Sequence, residues 1–282
     1  MSERSASRTA LMVAAYRARA SERPGALISD PWARALAGEE GEAIATAVDR
    51  MMPDREIWVA VRTAWLDEQV RRFTAGGYRQ VVVLGAGFDT RAARLAAAGV
   101  RFFEVDHPAS QQEKLARLAQ LAGYPRDAAT HVECDFEHHD FLERLVDRGF
   151  DPASPALITW EGVTMYLAEA AIRHTLARVA FGCEPHTVLL FDHLMKKIVD
   201  PSRQHETERA ARALVQDLGE RFVFGTNDPL PMLYEEGFRW VQSASFDELC
   251  LNLTGSYDRA RQFRFQRVVA AARKRPSLPA LF

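Results

Sequence analysis

From residue 78 onward, short apolar runs recur at 81–84, 102–105, 131–134, 156–160 and 188–191, separated by stretches that are apolar on one helical face only. Runs this short suit strands buried on both faces, and their alternation with helices predicts a parallel sheet with right-handed crossovers. Ahead of this core the pattern over 6–72 is helical, with Leu11, Ala14 and Ala15 on one face. It breaks at Pro24-Gly25, is capped at Asp30-Pro31 and runs on to Leu36. Another helix follows Pro53 and carries Ile57, Val61, Ala64, Trp65 and Glu68 along neighbouring turns. The alternation stops over 196–233, where a charged helix through Glu206 to Leu218 precedes a turn-rich stretch at 225–229. Closing strands are predicted at 238–245 and 262–269, and the tail over 274–279 is predicted to be a loose end. The expected organisation is one α/β domain with a doubly wound, mostly parallel sheet. It divides into an N-terminal helical lid (1–76), a core (77–194), a helical insertion over the site (195–236) and closing strands (237–282).

The first core strand runs into Gly85-Ala-Gly87, where the backbone can turn tightly and approach a ligand with no Cβ in the way. About 20 residues on, Asp106 closes the next strand and is placed to accept hydrogen bonds from a ribose diol. Thr90 stands where a dinucleotide fingerprint wants a third small residue, which weakens a nicotinamide reading. No Gly-Lys-Ser/Thr follows the glycines, so a phosphate-cradling loop is disfavoured. Ligands of open α/β sheets lie beyond the carboxyl ends of the strands. The other residues to examine are therefore Asp135-Phe136, Glu161 and Asp192-His193. Acids dominate these ends, which suits ribose hydroxyls, an amine and a cationic sulfonium better than phosphates.

Three separated motifs, Leu84-Gly-Ala-Gly-Phe-Asp-Thr-Arg91, Phe103-Glu-Val-Asp-His-Pro108 and Trp160-Glu-Gly-Val-Thr-Met-Tyr-Leu167, resemble the leucine carboxyl methyltransferase family in their order and content. Ser7-Arg-Thr-Ala10, Arg17-Ala-Arg-Ala20 and Asp30-Pro31 resemble its bacterial branch, several members of which are tied to secondary metabolism. The resemblance implies a Rossmann-like class I fold, a last strand inserted antiparallel, and S-adenosyl-L-methionine as cofactor. It further implies that Asp106 holds the ribose, Asp135 with Phe136 the adenine, Glu161 the methionine end and Arg62 the methionine carboxylate, with Gly85 and Gly87 shaping the turn. Eukaryotic members add an N-terminal lysine; here that segment has Arg8, Arg17 and Arg19 instead, so the contact does not carry over.

The implied reaction is O-methylation, with a carboxylate of a small metabolite as the leading acceptor. A hydroxyl acceptor, a protein C-terminus, and a non-catalytic nucleoside-binding role on the same fold are the alternatives. A carboxylate arrives ionised and needs no base, whereas a hydroxyl wants one. His107, Tyr166 and His193 are the candidates for that base.

The 282 residues suffice for a single core, and 48% hydrophobic with 26% charged residues is ordinary for a globular chain. A net charge of −2, from 36 basic and 38 acidic residues, offers no field for a nucleic-acid backbone. Cys134, Cys183 and Cys250 are widely spaced with no Cys-x-x-Cys pair, which argues against disulfides and a zinc ribbon and for a reducing cytoplasm. His131, Glu133, Cys134, Asp135, His138 and His139 crowd together in sequence, but strand geometry sends neighbours to opposite faces, so no metal is expected. Charges interrupt the first 19 residues, leaving no leader-like apolar stretch, and no run is long enough to span a membrane. Nothing in the pattern specifies an oligomeric state.

Overall fold

The computed structural model describes residues 7–200, 202, 206–278 and 282. Three helices come first: α1 (Arg8–Ser21), α2 (Ala33–Met51) and α3 (Arg55–Ala75). Strands and helices then alternate through β1 (Gln80–Leu84), α4 (Arg91–Arg94), β2 (Arg101–Asp106), α5 (Pro108–Leu118) and β3 (Thr130–Glu133). The alternation continues with α6 (Phe141–Asp147), β4 (Ala156–Trp160), α7 (Glu169–Gly182) and β5 (Val188–Leu194). The remainder comprises α8 (Lys196–Val199), α9 (Glu206–Asp217), α10 (Leu230–Glu235), β6 (Trp240–Ser245), α11 (Phe246–Thr254) and β7 (Gln266–Ala272). Short 3-10 turns lie at Thr164–Tyr166 and Arg261–Phe263.

The strands form one sheet in the order β3-β2-β1-β4-β5-β7-β6. β1 to β5 are mutually parallel, and β7 runs antiparallel between β5 and β6. Growth of the sheet reverses between β1 and β4, which leaves a crevice at their carboxyl ends. Every residue of β1, β4 and β5 is buried, the consequence of covering both faces with helices. On one face Val81, Phe102, Leu157 and Leu190 pack with residues of α1, α2 and α3. On the other, Val82, Phe103, Ile158 and Leu189 pack with residues of α6 and α7.

The expected closing strand at 262–269 is corrected to Gln266–Ala272. The chain first makes the 3-10 turn at Arg261–Phe263, which sets Phe263 edge-on to Phe246 with ring centroids 5.8 Å apart. The helix read as ending at Leu36 continues to Met51 through a kink at Gly38, whose φ of 61° breaks the helical path without ending it. α3 is a core helix: the buried set from Trp58 to Leu66 covers all sides of it. Nor is the whole tail loose. Leu278 packs against Gly76 and Phe282 stacks on Trp65 at 5.6 Å, while 279–281 lie outside the described residues.

Candidate functional site

β1 ends in the glycine turn, where Gly85 (φ 67°) and Gly87 (φ 48°) adopt a left-handed backbone. A Cβ on Gly85 would stand 2.3 Å from Val163 Cγ2, so glycine is required there for space as well as torsion. The turn is wired to the end of β2: Gly85 N donates to Val105 O at 2.7 Å and Gly87 N to Asp106 Oδ2 at 2.5 Å. His107 N donates to Asp106 Oδ1 at 2.7 Å. Two amides thus hold the carboxylate, and each oxygen keeps a lone pair for a ligand. Burial pushes the Asp106 pKa up, with the two amides acting in the opposite sense.

Beneath the turn lies a buried charge network that no local sequence pattern announces. Arg91 donates through Nε to Asp67 (2.8 Å), through Nη1 to Asp89 and through Nη2 to Glu161 (2.7 Å). Glu161 also accepts from Arg62 Nε at 2.8 Å, and Arg62 Nη1 donates to Asp192 Oδ2 at 3.0 Å. The other Asp192 oxygen takes the amide of Gly162 at 2.6 Å, and the Arg62 guanidinium lies 3.9 Å from the Trp58 ring centroid. Burial would raise the Glu161 pKa, but Arg91 and then Arg62 outweigh it and hold this carboxyl below its ordinary value. On the far side, Asp30 accepts from Arg17 Nε (3.0 Å) and Thr90 Oγ1 (2.7 Å), tying α1 to the turn. Thr90, read from sequence only as a departure from a dinucleotide fingerprint, therefore has a structural task.

At the end of β3, Asp135 Oδ1 accepts from Glu137 N at 3.0 Å, and Phe136 lies half-buried with its ring 6.4 Å from that of Trp160. A cavity of about 880 Å³ runs from this point across the switch in strand order, and Arg62, Gly85, Gly87, Asp106, Asp135, Phe136 and Glu161 all line it. Its opposite wall comes from the first turn of α1 and from the segment after α9, where Ser7 and Thr9 donate to the two oxygens of Glu220 at 2.5 and 2.8 Å.

A family model described as leucine carboxyl methyltransferase matches residues 10–180. The chain belongs to the leucine carboxyl methyltransferase family. A protein of Streptomyces coelicolor provisionally named an S-adenosyl-L-methionine-dependent methyltransferase is 39% identical over 179 residues, covering 61% of this chain and 63% of that protein. A Mycobacterium tuberculosis protein with the same provisional name is 35% identical over 175 residues, 58% of each chain. One from Mycolicibacterium smegmatis is 36% identical over 207 residues, 68% of each chain. The match thus spans about three fifths of the length of the first two relatives. Among solved structures, a DUF574 family protein from Streptomyces avermitilis superposes with a TM-score of 0.63 at 14% identity, covering 93% of this chain and 97% of that one. A Thermobifida fusca protein provisionally named a methyltransferase gives 0.60 at 17% identity, with 84% of this chain and 89% of that one covered. These two likenesses confirm the fold.

In this member of the family the three candidate bases stand in different settings. His107 lines the cavity but serves as N-cap of α5 ahead of Pro108, its Nδ1 accepting from Ala109 N at 3.3 Å. That bond leaves Nε2, 3.9 Å from Asp135, to carry the proton of the neutral ring. Tyr166 lines the cavity and stacks on Phe222 at 5.7 Å, and burial drives its phenol pKa well above the usual value. His193 does not line the cavity; it is fully buried in β5, where desolvation pushes its pKa down to about 4. Sequence reasoning missed Arg91, Asp67 and Glu220 as parts of the site. Only Arg91, inside the first motif, carried a local signal. No helix among the described residues is long and apolar enough to cross a membrane.

Proposed function

We propose that this protein binds S-adenosyl-L-methionine in the cavity and transfers its methyl group to an oxygen, that of a carboxylate on a small metabolite. The observation that carries this reading is the convergence of seven separately positioned residues, from Arg62 to Glu161, on one cavity at the switch in strand order. The residues present fit that cofactor. Asp106 keeps two lone pairs for a ribose diol, and the Phe136 ring is half-buried where an adenine can lie against it. Arg62 spends Nε and Nη1 on Glu161 and Asp192 and retains Nη2 for a carboxylate. Glu161, which lines the cavity, places a carboxylate where an ammonium and a sulfonium are to be held.

The bound cofactor supplies an electrophilic methyl group on a sulfonium. The chain's own contribution is to align the acceptor oxygen, exclude water beneath α1 and the segment after α9, and hold the charged groups fixed. A carboxylate acceptor is favoured because the candidate bases are poorly suited: His107 is committed as a cap, the Tyr166 phenol resists ionisation and His193 is out of reach. Titration calorimetry with S-adenosylmethionine, S-adenosylhomocysteine and NAD, followed by a labelled-methyl screen of carboxylic and phenolic acceptors, tests the reading. Binding of NAD with no response to S-adenosylhomocysteine overturns it, and label found only on hydroxyls overturns the carboxylate part.

A further inference from the structure

Four arginines line the cavity, and three of them are engaged by the protein itself. Arg8 donates to Asp217 O at 3.2 Å and lies 3.8 Å from Glu40, Arg17 donates to Asp30 and to Phe88 O, and Arg62 donates to Glu161 and Asp192. Arg221 differs. It is exposed, and among the described residues no carboxylate, carbonyl or hydroxyl engages its guanidinium. Its neighbour Glu220 is turned to Ser7 and Thr9, which donate to both of its oxygens.

The backbone that carries Arg221 is fixed on both sides. Glu220 N donates to Val215 O at 3.0 Å, the Phe222 ring stacks on Tyr166 at 5.7 Å, and Val223 N donates to Met165 O at 2.8 Å. These contacts set Arg221 on the side of the cavity where β4 ends, with Glu161, and away from the end of β3, with Asp135 and Phe136; β2 and β1 separate the two ends in the sheet. The side beside Glu161 is where an acceptor has to meet the methyl group. Val163, Leu167, Leu218 and Val223 line the cavity from the same two segments and offer an apolar surface to the body of that acceptor.

The side chains of Arg62 and Glu161, at the methionine end, are 3% and 12% exposed, whereas Arg221 is open to solvent. A group held by Arg221 is therefore not the one that meets the sulfonium. A cation on the reacting oxygen would also withdraw the electron density that attacks the methyl carbon. An exposed arginine without a partner adds nothing measurable to the fold, but its planar fork of donors suits bidentate binding of a carboxylate or phosphate.

We infer that Arg221 is a specificity-determining residue that binds a second anionic group of the acceptor, at the opposite end of an apolar body from the carboxylate that is methylated. This rests on the carboxylate reading of the acceptor proposed above. The acceptor class is then a dianion with an apolar middle.

The test titrates wild type, Arg221→Gln and Arg221→Lys, each saturated with S-adenosylhomocysteine, with suberate, with its singly charged monomethyl ester and with 6-phosphonohexanoate. Wild type is expected to bind suberate about three- to tenfold more tightly than the monoester. Arg221→Gln is expected to bind suberate and the monoester alike while matching wild type in melting temperature and in affinity for S-adenosylhomocysteine and the monoester. Arg221→Lys is expected to keep part of the preference. A phosphonate that outbinds suberate makes the second anion phosphate-like and the reverse order makes it a carboxylate; either order supports the inference when Arg221→Gln abolishes the gain. Equal affinities of wild type for suberate and the monoester, binding of neither, or an undiminished preference in Arg221→Gln each overturns it. Methyl label found only on hydroxyls, with the suberate preference intact, overturns the carboxylate reading instead and leaves Arg221 as an anion-binding residue of the acceptor site.

Discussion

Arg91 Nη2 donates to Glu161 Oε2 at 2.7 Å across 70 residues of sequence, joining the helix after the glycine turn to the end of β4. Arg91 is buried and Glu161 is largely enclosed where it lines the cavity, and the Nε and Nη1 donors of Arg91 reach Asp67 and Asp89. Removing the guanidinium leaves Asp89 without its side-chain partner and reduces Asp67 and Glu161 to one arginine each, Arg94 and Arg62. Arg91→Met is therefore expected to lower folding stability by about 3–5 kcal/mol, measured by urea unfolding of the ligand-free protein. A loss below about 1 kcal/mol, the range of exposed ion pairs, would show that the network is solvated.

Asp106→Ala is expected to weaken S-adenosylhomocysteine binding by about 1–3 kcal/mol. The variant removes the acceptor of the Gly87 and His107 amides as well as that of the ribose hydroxyls. Arg62→Ala should weaken binding comparably through the loss of a charge-assisted bond, and should also destabilise the fold because Asp192 loses its ion-pair partner and Glu161 keeps only Arg91. Calorimetry on variants shown to be folded by circular dichroism decides; unchanged dissociation constants in both would place the ligand elsewhere.

Gly85→Ala is expected to abolish cofactor binding and to lower the melting temperature. Its left-handed φ of 67° costs about 1–2 kcal/mol for any L-residue, and its Cβ would meet Val163 Cγ2 at 2.3 Å. Gly87→Ala, whose Cβ would meet Ala10 at 3.2 Å, should lose less. Thermal melts of the two variants side by side check the ranking.

His193 gives the stability a pH dependence of known sign. Its folded pKa is pushed from 6.5 down to about 4, so below pH 6.5 the unfolded chain binds a proton that the folded chain refuses. Stability then falls as pH drops from about 6.5 to 4, by on the order of 3 kcal/mol for this group. His193→Phe should flatten that part of the curve, as read from urea midpoints at pH 4, 5, 6 and 7. An identical slope in the variant would locate the titration elsewhere.

With a carboxylate acceptor, single substitutions of His107, His193 or Tyr166 should each lower the transfer rate by well under the roughly 10²–10⁴-fold typical of losing a general base. Single-turnover rates against pH provide the check. A collapse in one variant, together with a wild-type rate that rises through a pKa near 6 to 7, would favour a hydroxyl acceptor activated by that residue.

The sequence by itself determined the parallel core, because runs such as 81–84 and 156–160 are apolar without alternation and only a sheet covered on both faces buries them. It also determined the glycine turn and the acid at Asp106, since torsion and spacing are local properties. The tertiary structure alone decided what those residues face. Arg91, Asp67 and Glu161 are brought together from three elements far apart in the chain, and a charged residue looks alike in sequence whether it is solvated or buried. The start of β7 was set by the packing of Phe263 on Phe246, which outweighs the extended propensity of 262–265. The standing of His193 was decided the same way. Lying just after a strand's apolar run suggests a ligand-facing side chain, but β5 continues three residues further, to Leu194, on pairing with β7, and the imidazole is enclosed as a result.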